Sequence, residues 1–221
     1  MNVIIVSDLH LGSRHCKRDL FLRFLDTLPP EVTLVFNGDT VDFRYRRLGH
    51  RFQVVLDRLA EESRRRPVIW VYGNHDEDYR PWKPGDIRFV NSWAIERRLL
   101  VQHGYAFDRV MPFHRLFILV VRMFHGLRIR FGAESVHVAE YAKRWSALYA
   151  VLRRSVMKHA IAHAKRNGFA AVTCGHTHYA EDMMVEGIRY INSGTWTETP
   201  AHYIAVDDTT IELKTYPPRM L

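Results

Sequence analysis

The chain has 221 residues, of which 47% are hydrophobic and 25% are charged, so it has enough apolar side chain for a globular core. This length fits one large domain, and we expect a single domain over 1–221. Its two cysteines, Cys16 and Cys174, are too few for a disulfide scaffold. The amino terminus lacks the basic flank of a signal peptide, and the longest apolar run, 116–121, is far too short to span a bilayer. These features favour a cytoplasmic protein.

The net charge of +8 is concentrated in one segment. Between Arg109 and Arg166 there are twelve basic and two acidic residues, whereas the rest of the chain is close to neutral. Such a segment could bind phosphates, nucleic acid or an anionic membrane surface, or it could be a solvated helix face. Charge alone does not choose between these alternatives.

Five short apolar runs along the chain each end in a polar cluster. Continuous apolar runs of this kind are typical of strands that are buried on both faces of a sheet. The runs lie within NVIIVSDLH, EVTLVFNGDT, RPVIWVYGNHD, LLVQHG and AAVTCGHTH.

Two amphipathic segments between the first three runs predict helices. The side chains that share a face are Leu20, Phe24 and Leu28 in KRDLFLRFLDTL and Phe52, Val55, Leu56 and Leu59 in RFQVVLDRLAEESRR. Alternation of strands and helices predicts an α/β fold. Residues 110–166 interrupt this order and predict an insert of two or three helices, and the tail of the chain predicts short strands joined by turns.

The polar clusters place candidate metal ligands at the ends of the predicted strands. A single aspartate or histidine there is usually a turn former, a helix cap or a satisfied polar residue. Five strand ends with the same feature indicate a common site, because ligands of α/β sheets bind beyond the carboxyl ends of strands. The candidates are Asp8, His10, Asp39, Asn74, His103, His176 and His178.

The chemistry of this set indicates two divalent metal ions. It contains imidazole, carboxylate and amide groups and no thiolate, which suits Mn²⁺, Fe or Zn²⁺. Seven ligands exceed one tetrahedral site and are enough for two ions that share a bridging carboxylate. We expect Mn²⁺ as the metal.

The sequences SDLHLG, NGDTVD, GNHD, HG and GHTH, in this order between residues 7 and 178, resemble the motifs of calcineurin-like metallophosphoesterases. This resemblance implies a four-layer α/β fold, in which two mixed β-sheets are sandwiched between helices, with a helical insert at about 110–166. It also implies a first metal held by Asp8, His10 and His178. Asp39 would bridge to a second metal, which is completed by Asn74, His103 and His176.

The same resemblance assigns catalytic roles. His75 matches the family's catalytic histidine, and Asp42 matches the carboxylate that orients it. Asp76 is expected to bond nearby backbone instead. A metal-activated hydroxide would attack phosphorus in line, and His75 would assist the leaving oxygen, so no covalent intermediate is needed.

Departures from subgroup motifs bear on the substrate. Phe43 after Asp42 and Asp76 after His75 differ from the protein Ser/Thr phosphatases, which disfavours a phosphoprotein phosphatase. In its layout, helical insert and YINSGTWTETPAHYIAV tail, the chain is similar to UDP-2,3-diacylglucosamine diphosphatases. It departs from them at His75, where they often carry Arg, and at Tyr105, where they carry Asp.

We therefore expect hydrolysis of UDP-2,3-diacylglucosamine to lipid monophosphate and UMP. The alternatives are a phosphodiesterase or nuclease that acts on nucleotides or nucleic acid, and a phosphoprotein phosphatase. The insert could bind acyl chains and the inner, anionic face of a membrane, or it could only close the core. Its aromatic residues lie within apolar runs rather than as stacking platforms, which disfavours nucleic acid. Arg44, Arg46 and Arg47 are candidate diphosphate-binding residues. No obligate protein partner is inferred.

Overall fold

The computed structural model describes residues 2–42, 48–109, 123–124, 126–132 and 146–217. Eleven strands lie within these ranges: β1 (Val3–Val6), β2 (Thr33–Asn37), β3 (Val68–Val71), β4 (Arg88–Val90), β5 (Trp93–Ile95), β6 (Leu99–Val101), β7 (Ala171–Cys174), β8 (Glu181–Val185), β9 (Ile188–Asn192), β10 (Ala201–Val206) and β11 (Ile211–Tyr216). The main helices are α1 (Arg18–Asp26), α2 (His50–Ser63) and α3 (Ser146–Arg166), and a 3-10 turn covers Tyr105–Phe107.

The strands form two mixed sheets. The first has the order β11-β10-β1-β2-β3-β4 and the second has the order β5-β6-β7-β9-β8. Strands β1 to β4 run parallel, and β10 pairs antiparallel with both β1 and β11. In the second sheet β6, β7 and β9 run parallel, while β5 and β8 are antiparallel edge strands.

Both faces of the central strands are buried, as the continuous apolar runs predict. Val3 and Ile5 of β1 belong to the cluster that also contains Leu99 and Ala171 of the second sheet. Their neighbours Ile4 and Val6 belong to the cluster that contains the buried faces of α1 and α2. On the other side of the molecule, Val172 and Cys174 pack with α3. The layers are therefore helix, sheet, sheet and helix, which confirms the predicted fold.

The helices agree with the predicted amphipathic segments in part. Helix α2 buries Phe52, Val55, Leu56 and Leu59, as predicted. Helix α1 instead buries Phe21, Phe24 and Leu25, so the predicted face of Leu20, Phe24 and Leu28 is wrong by part of a turn. The helix ends at Asp26, and Leu20 and Leu28 are partly buried at the edge of the same cluster.

Part of the predicted insert is helical. Helix α3 supplies its carboxyl-terminal third, and residues 126–130 are also helical. Within 110–166 the structure also describes 123–124 and 131–132, and the other residues of this segment lie outside the described ranges, as do Arg44, Arg46 and Arg47. None of the helices in the described ranges has an apolar stretch long enough to cross a membrane.

Candidate metal centre

The loops that follow the parallel strands of both sheets meet at one point. Nε2 of His10, beyond β1, lies 2.9 Å from Nε2 of His178, beyond β7. Nε2 of His103, beyond β6, lies 3.2 Å from Oδ2 of Asp39, beyond β2. Each of the two sheets therefore contributes part of a single cluster.

Glycines allow this close approach. Gly38 has a φ of 81°, and a Cβ on it would collide with the imidazole of His103. A Cβ on Gly175 would collide with the carboxylate of Asp8. The side chains of His103 and Asp8 thus occupy the space that a Cβ at Gly38 or Gly175 would take.

One group of potential ligands comprises Asp8, His10 and His178, all of which are buried. Nε2 of His178 lies 3.0 Å from Oδ1 of Asp8, and Nε2 of His10 lies 3.7 Å from the same oxygen. The structure brings together the three side chains that the family resemblance assigns to the first metal.

A second group comprises Asp39, His103 and His176. Nδ1 of His176 lies 3.0 Å from Oδ1 of Asn74, which adds the amide oxygen predicted for the second metal. Asp39 also belongs to a third group with His10 and His75, so its carboxylate lies between the two sets. This is the place expected of a bridging ligand.

The residues fit divalent metal ions. Two imidazole nitrogens on one tetrahedral ion lie about 3.3 Å apart, for metal–nitrogen bonds of about 2.0–2.1 Å. The separation of 2.9 Å between His10 and His178 is close to this value. Nε2 of His103 is buried, lies 3.2 Å from the Asp39 carboxylate and has no well-aligned hydrogen-bond partner among the described residues. Nitrogen and oxygen donors in this arrangement suit Mn²⁺, Fe or Zn²⁺.

The electrostatics of the cluster favour positive charge at its centre. Burial acts to raise the pKa of Asp8 and Asp39, but the adjacent histidines, His178 and His103 respectively, outweigh it and hold both pKa values low. Burial acts to lower the pKa of His103, yet Asp39 raises it to about 9. Bound cations would take the place of such protons, because metal ligands must be deprotonated.

The backbone at the ligands is unusual. Eight non-glycine residues in the described ranges have a positive φ, and five of them are predicted ligands: Asp8, His10, Asp39, His176 and His178, with φ between 51° and 65°. Left-handed backbone is unfavourable for residues with a Cβ, and it concentrates at functional sites.

His75 and Asp42 form a pair beside this cluster. Nδ1 of His75 lies 2.9 Å from Oδ1 of Asp42, and Nε2 lies 3.8 Å from Oδ2 of Asp39. The same Asp42 oxygen lies 2.6 Å from Nδ1 of His10. Burial acts to raise the pKa of Asp42, but hydrogen bonds from His10 and His75 lower it well below its usual value. The carboxylate therefore remains charged and can orient both rings.

Asp76 has the structural role that the sequence predicts. Its carboxylate accepts hydrogen bonds from the backbone N–H groups of Thr40 and Gly73, both at 2.7 Å, and from Nε1 of Trp70 at 3.1 Å. Burial and the nearby charge of Asp39 raise the pKa of Asp76 to about 6. It holds the loops after β2 and β3 together.

Two residues at the cluster were missed by the sequence reasoning. Oδ2 of Asp108 lies 2.9 Å from Nε2 of His176. The hydroxyl of Tyr149, on α3, donates to the carbonyl of Thr177, between the two histidines of GHTH. A carboxylate five residues after His103 was the available signal for Asp108, and Tyr149 has no motif around it.

The fold and the cluster together define a two-sheet α/β protein with a candidate dinuclear metal centre. The family profile of calcineurin-like phosphoesterases matches residues 1–180. The chain belongs to this family of hydrolases, which confirms the resemblance seen in its motifs.

Comparison with curated protein sequences gives no match. Among solved structures, Vps29 from Chaetomium thermophilum is 10% identical, with 99% of both chains covered and a TM-score of 0.52. Vacuolar protein sorting 29 from Cryptosporidium parvum is 14% identical over 99% of this chain and 91% of that chain, with a TM-score of 0.50. The phosphoesterase YfcE from E. coli is 15% identical over 97% and 92%, with a TM-score of 0.48. The first two support the fold.

Proposed function

We propose that the protein is a metal-dependent hydrolase that cleaves a phosphodiester or diphosphate bond. The observation that carries this proposal is the His75–Asp42 pair placed beside the histidine–carboxylate cluster. A cluster of metal ligands alone could be structural. An oriented imidazole next to it supplies the proton donor that departure of an alcohol or phosphate oxygen requires.

The side chains divide the work as follows. Asp8, His10 and His178 would hold one ion, Asn74, His103 and His176 would hold the other, and Asp39 would contact both. When bound, the two ions would neutralise phosphoryl oxygens and lower the pKa of water.

His75 acts on the leaving group. Its Nδ1–H donates to the charged Asp42, so that Nε2 is directed toward the cluster and can carry a proton there. Water adds to phosphorus as the bond to the bridging oxygen breaks. This oxygen takes a proton from Nε2 of His75. Water releases one proton as it adds to phosphorus, and transfer of a proton back to His75 restores the starting state.

For the substrate we propose UDP-2,3-diacylglucosamine, with lipid monophosphate and UMP as products. The motif layout of the chain supports this substrate. A lipid-linked diphosphate also needs cationic groups for its phosphates and an apolar surface for its acyl chains, and the described residues offer both.

The cationic surface is a concavity of about 510 Å³ beside α1 and the start of α2. Its charged lining comprises Arg14, Lys17, Arg18, Asp19, Arg23 and Arg51. It lies near the metal centre, because Lys17 N–H donates to the carbonyl of Trp196 and Trp196 N–H donates to the carbonyl of Asp8. An excess of basic groups at this place favours a substrate with more than one negative charge.

The apolar surface lies on the insert. Phe124, Leu127 and Phe131 are 46%, 44% and 85% exposed, and their spacing is that of residues on one side of a helix, although Phe131 lies in the turn that follows 126–130. Large exposed apolar side chains in a group commonly mark a ligand or membrane contact. We propose that the acyl chains of the substrate lie against them and that Mn²⁺ is the metal.

A side-by-side assay tests this proposal. UDP-2,3-diacylglucosamine, a cyclic dinucleotide, single-stranded DNA and a phosphopeptide are supplied with Mn²⁺, and each product is quantified. We expect the lipid to be cleaved fastest, with release of UMP. Faster cleavage of DNA or the dinucleotide would overturn the lipid substrate and leave the phosphoesterase standing, whereas no hydrolysis of any of the four would contradict the proposed activity.

Matched variants separate the substrate surfaces from the chemistry. Arg18→Ala with Arg51→Ala should raise KM for the lipid substrate with little change in kcat, since these residues lie in the cationic concavity. Leu127→Ser with Phe131→Ser should raise KM for the lipid but leave KM for a water-soluble diester unchanged. Equal effects on both substrates would contradict the assignment of the apolar surface.

A further inference from the structure

Asp108 is a buried carboxylate that belongs to none of the metal-binding motifs. Its side chain is 3% exposed, and its Oδ2 lies 2.9 Å from Nε2 of His176. His176 is itself 10% exposed, so the contact is shielded from water on both sides. A hydrogen bond to a charged carboxylate in such surroundings is stronger than one between neutral groups.

A short turn brings Asp108 to this place. The chain leaves His103 through Gly104, whose φ of 110° is in the region that favours glycine. The 3-10 turn follows, and the backbone N–H of Asp108 donates to the carbonyl of Tyr105 at 3.1 Å. Phe107 is buried in the cluster formed with α3, and its ring lies 5.4 Å from that of His163. The turn is thereby anchored on the outer helix, and it directs Asp108 back to His176.

The contact fixes which nitrogen of His176 carries a proton. An ionised carboxylate can only accept a hydrogen bond, so Nε2 of His176 must donate to Asp108. In the neutral ring Nδ1 then presents its lone pair, and this atom lies 3.0 Å from Oδ1 of Asn74. Nδ1 is thus directed toward the other ligands of the second group.

The ring of His176 has the opposite orientation to the rings of His10 and His103, as the hydrogen-bond partners of their nitrogens show. Nδ1 of His10 lies 2.6 Å from Asp42, and Nδ1 of His103 lies 2.7 Å from the carbonyl of Asn37. These two rings therefore present Nε2 to the cluster. His176 instead presents Nδ1 to the cluster. Its Nε2 faces Asp108, just as Nδ1 of His10 faces Asp42 and Nδ1 of His103 faces the carbonyl of Asn37.

We propose that Asp108 is a positioning residue for the second metal: its carboxylate keeps the proton on Nε2 of His176, so that Nδ1 is the metal-binding nitrogen. Partners of this kind orient ligand rings and raise their basicity, and their loss typically weakens metal binding about 10–100-fold. The inference rests on the proposed dinuclear centre.

Zinc titration of the metal-free protein tests the proposal without reference to turnover. Wild type should bind two ions. Asp108→Ala should keep one site near wild-type affinity and weaken the other about 10–100-fold. Asp108→Asn retains an acceptor oxygen without the charge, so its zinc affinity at the weakened site should lie between those of wild type and Asp108→Ala. Asp182→Asn on β8, an ion-pair partner of Arg189 at the surface, is the matched control and should titrate as wild type.

The nitrogen that binds zinc gives an independent readout. A long-range ¹H–¹⁵N spectrum of the zinc-loaded wild type should show His176 bound through Nδ1 and protonated at Nε2, with the signal assigned by its loss in His176→Gln. Binding through Nε2, or two undiminished sites in a folded Asp108→Ala, would overturn the proposal. A wild type that binds no zinc or manganese would instead contradict the metal centre itself. If Asp108→Ala does not fold, the wild-type spectrum still decides the question.

Discussion

The two sheets hold their parts of the candidate metal centre by different means. On the first sheet the ligand loops are joined through the main chain. The N–H of Asp8 donates to the carbonyl of Gly38 at 3.1 Å, and the N–H of His10 donates to the carbonyl of Asp39 at 3.0 Å. These bonds continue the parallel pairing of β1 with β2 beyond the ends of both strands.

On the second sheet the N–H of Gly175 donates to the carbonyl of His103 at 2.8 Å, and side chains add further bonds to the ligand loop after β7. Nδ2 of Asn192 donates to the carbonyl of Gly175 at 2.8 Å and to Oγ1 of Thr177 at 3.0 Å. Tyr149 donates to the carbonyl of Thr177, and Asp108 contacts the ring of His176. Helix α3 thus contacts this loop of the candidate metal centre through the hydroxyl group of Tyr149.

The difference indicates which part of the centre single substitutions can alter. Main-chain bonds persist when a side chain changes, whereas a side-chain bond is lost with its residue. We expect the loop after β7, which carries His176 and His178, to respond to changes in Tyr149 or Asn192, and the ligand loops of the first sheet to respond to changes in their ligands or in Asp76.

The largest effect is expected where the two parts share a ligand. Asp39→Ala removes the carboxylate that belongs to two of the potential metal groups and that accepts the N–H of His75 at 2.8 Å. Bound manganese, measured by elemental analysis, should fall from about two ions per chain to below one. Retention of both ions would show that the two parts bind metal separately, without a bridge. Asp182→Asn serves as the control.

His75→Ala should reduce turnover while metal content stays constant. The loss should be about 10²–10⁴-fold for a substrate with a poor leaving group, since a general acid typically contributes this much. An activated aryl phosphodiester should be less affected, because its leaving group needs no proton. If elemental analysis shows that metal is lost along with activity, His75 is a ligand rather than a proton donor.

Asp76→Ala should remove the side-chain carboxylate that joins the loops after β2 and β3 into one framework. Three N–H groups lose their buried acceptor, and one unsatisfied buried donor costs about 1–3 kcal/mol. We expect the free energy of unfolding of the metal-free protein to fall by about 3 kcal/mol in a urea titration. Asp182→Ala, at the surface, should change it by less than about 1 kcal/mol. Equal losses would contradict the framework role.

Tyr149→Phe should give the smallest change and should confine it to the second sheet. The variant loses one hydrogen bond to the carbonyl of Thr177, which corresponds to about 1 kcal/mol. Because Thr177 lies between His176 and His178, the proposed ligands of the two ions, a zinc titration should show a loss of affinity of at most about fivefold that is shared by both sites. Unchanged affinity at both sites would show that the Tyr149 hydroxyl does not help to hold this loop.

The sequence predicted that these side chains meet because each follows a strand, and parallel strands bring their carboxyl ends to one edge. The chemistry of seven such residues then predicted a metal site, which the structure provides with groups that could hold ions. Asp108 and Tyr149 could not be found in this way. They reach the cluster from a turn and from an outer helix, and their placement depends on how Phe107 and α3 pack against the second sheet.

The error in α1 has a similar physical origin. Leu20, Phe24 and Leu28 are four residues apart, and this spacing drifts around a helix of 3.6 residues per turn. The sheet beneath buries a broader stripe centred on Phe21, Phe24 and Leu25, where Phe21 and Phe24 contact the ring of Trp196. The width of the buried face of a helix depends on the surface against which it packs. The sequence of the helix alone gives no information about that surface.

The left-handed backbone at the five ligands bears on how this protein can change over generations. Each such residue is about 1–2 kcal/mol less favourable than a right-handed one, and glycine would relieve that strain. A lineage that lost a ligand such as His178, where φ is 53°, would recover part of the stability lost with the side chain. If the proposed activity holds, selection for turnover would oppose such a replacement, whereas backbone strain alone would favour it.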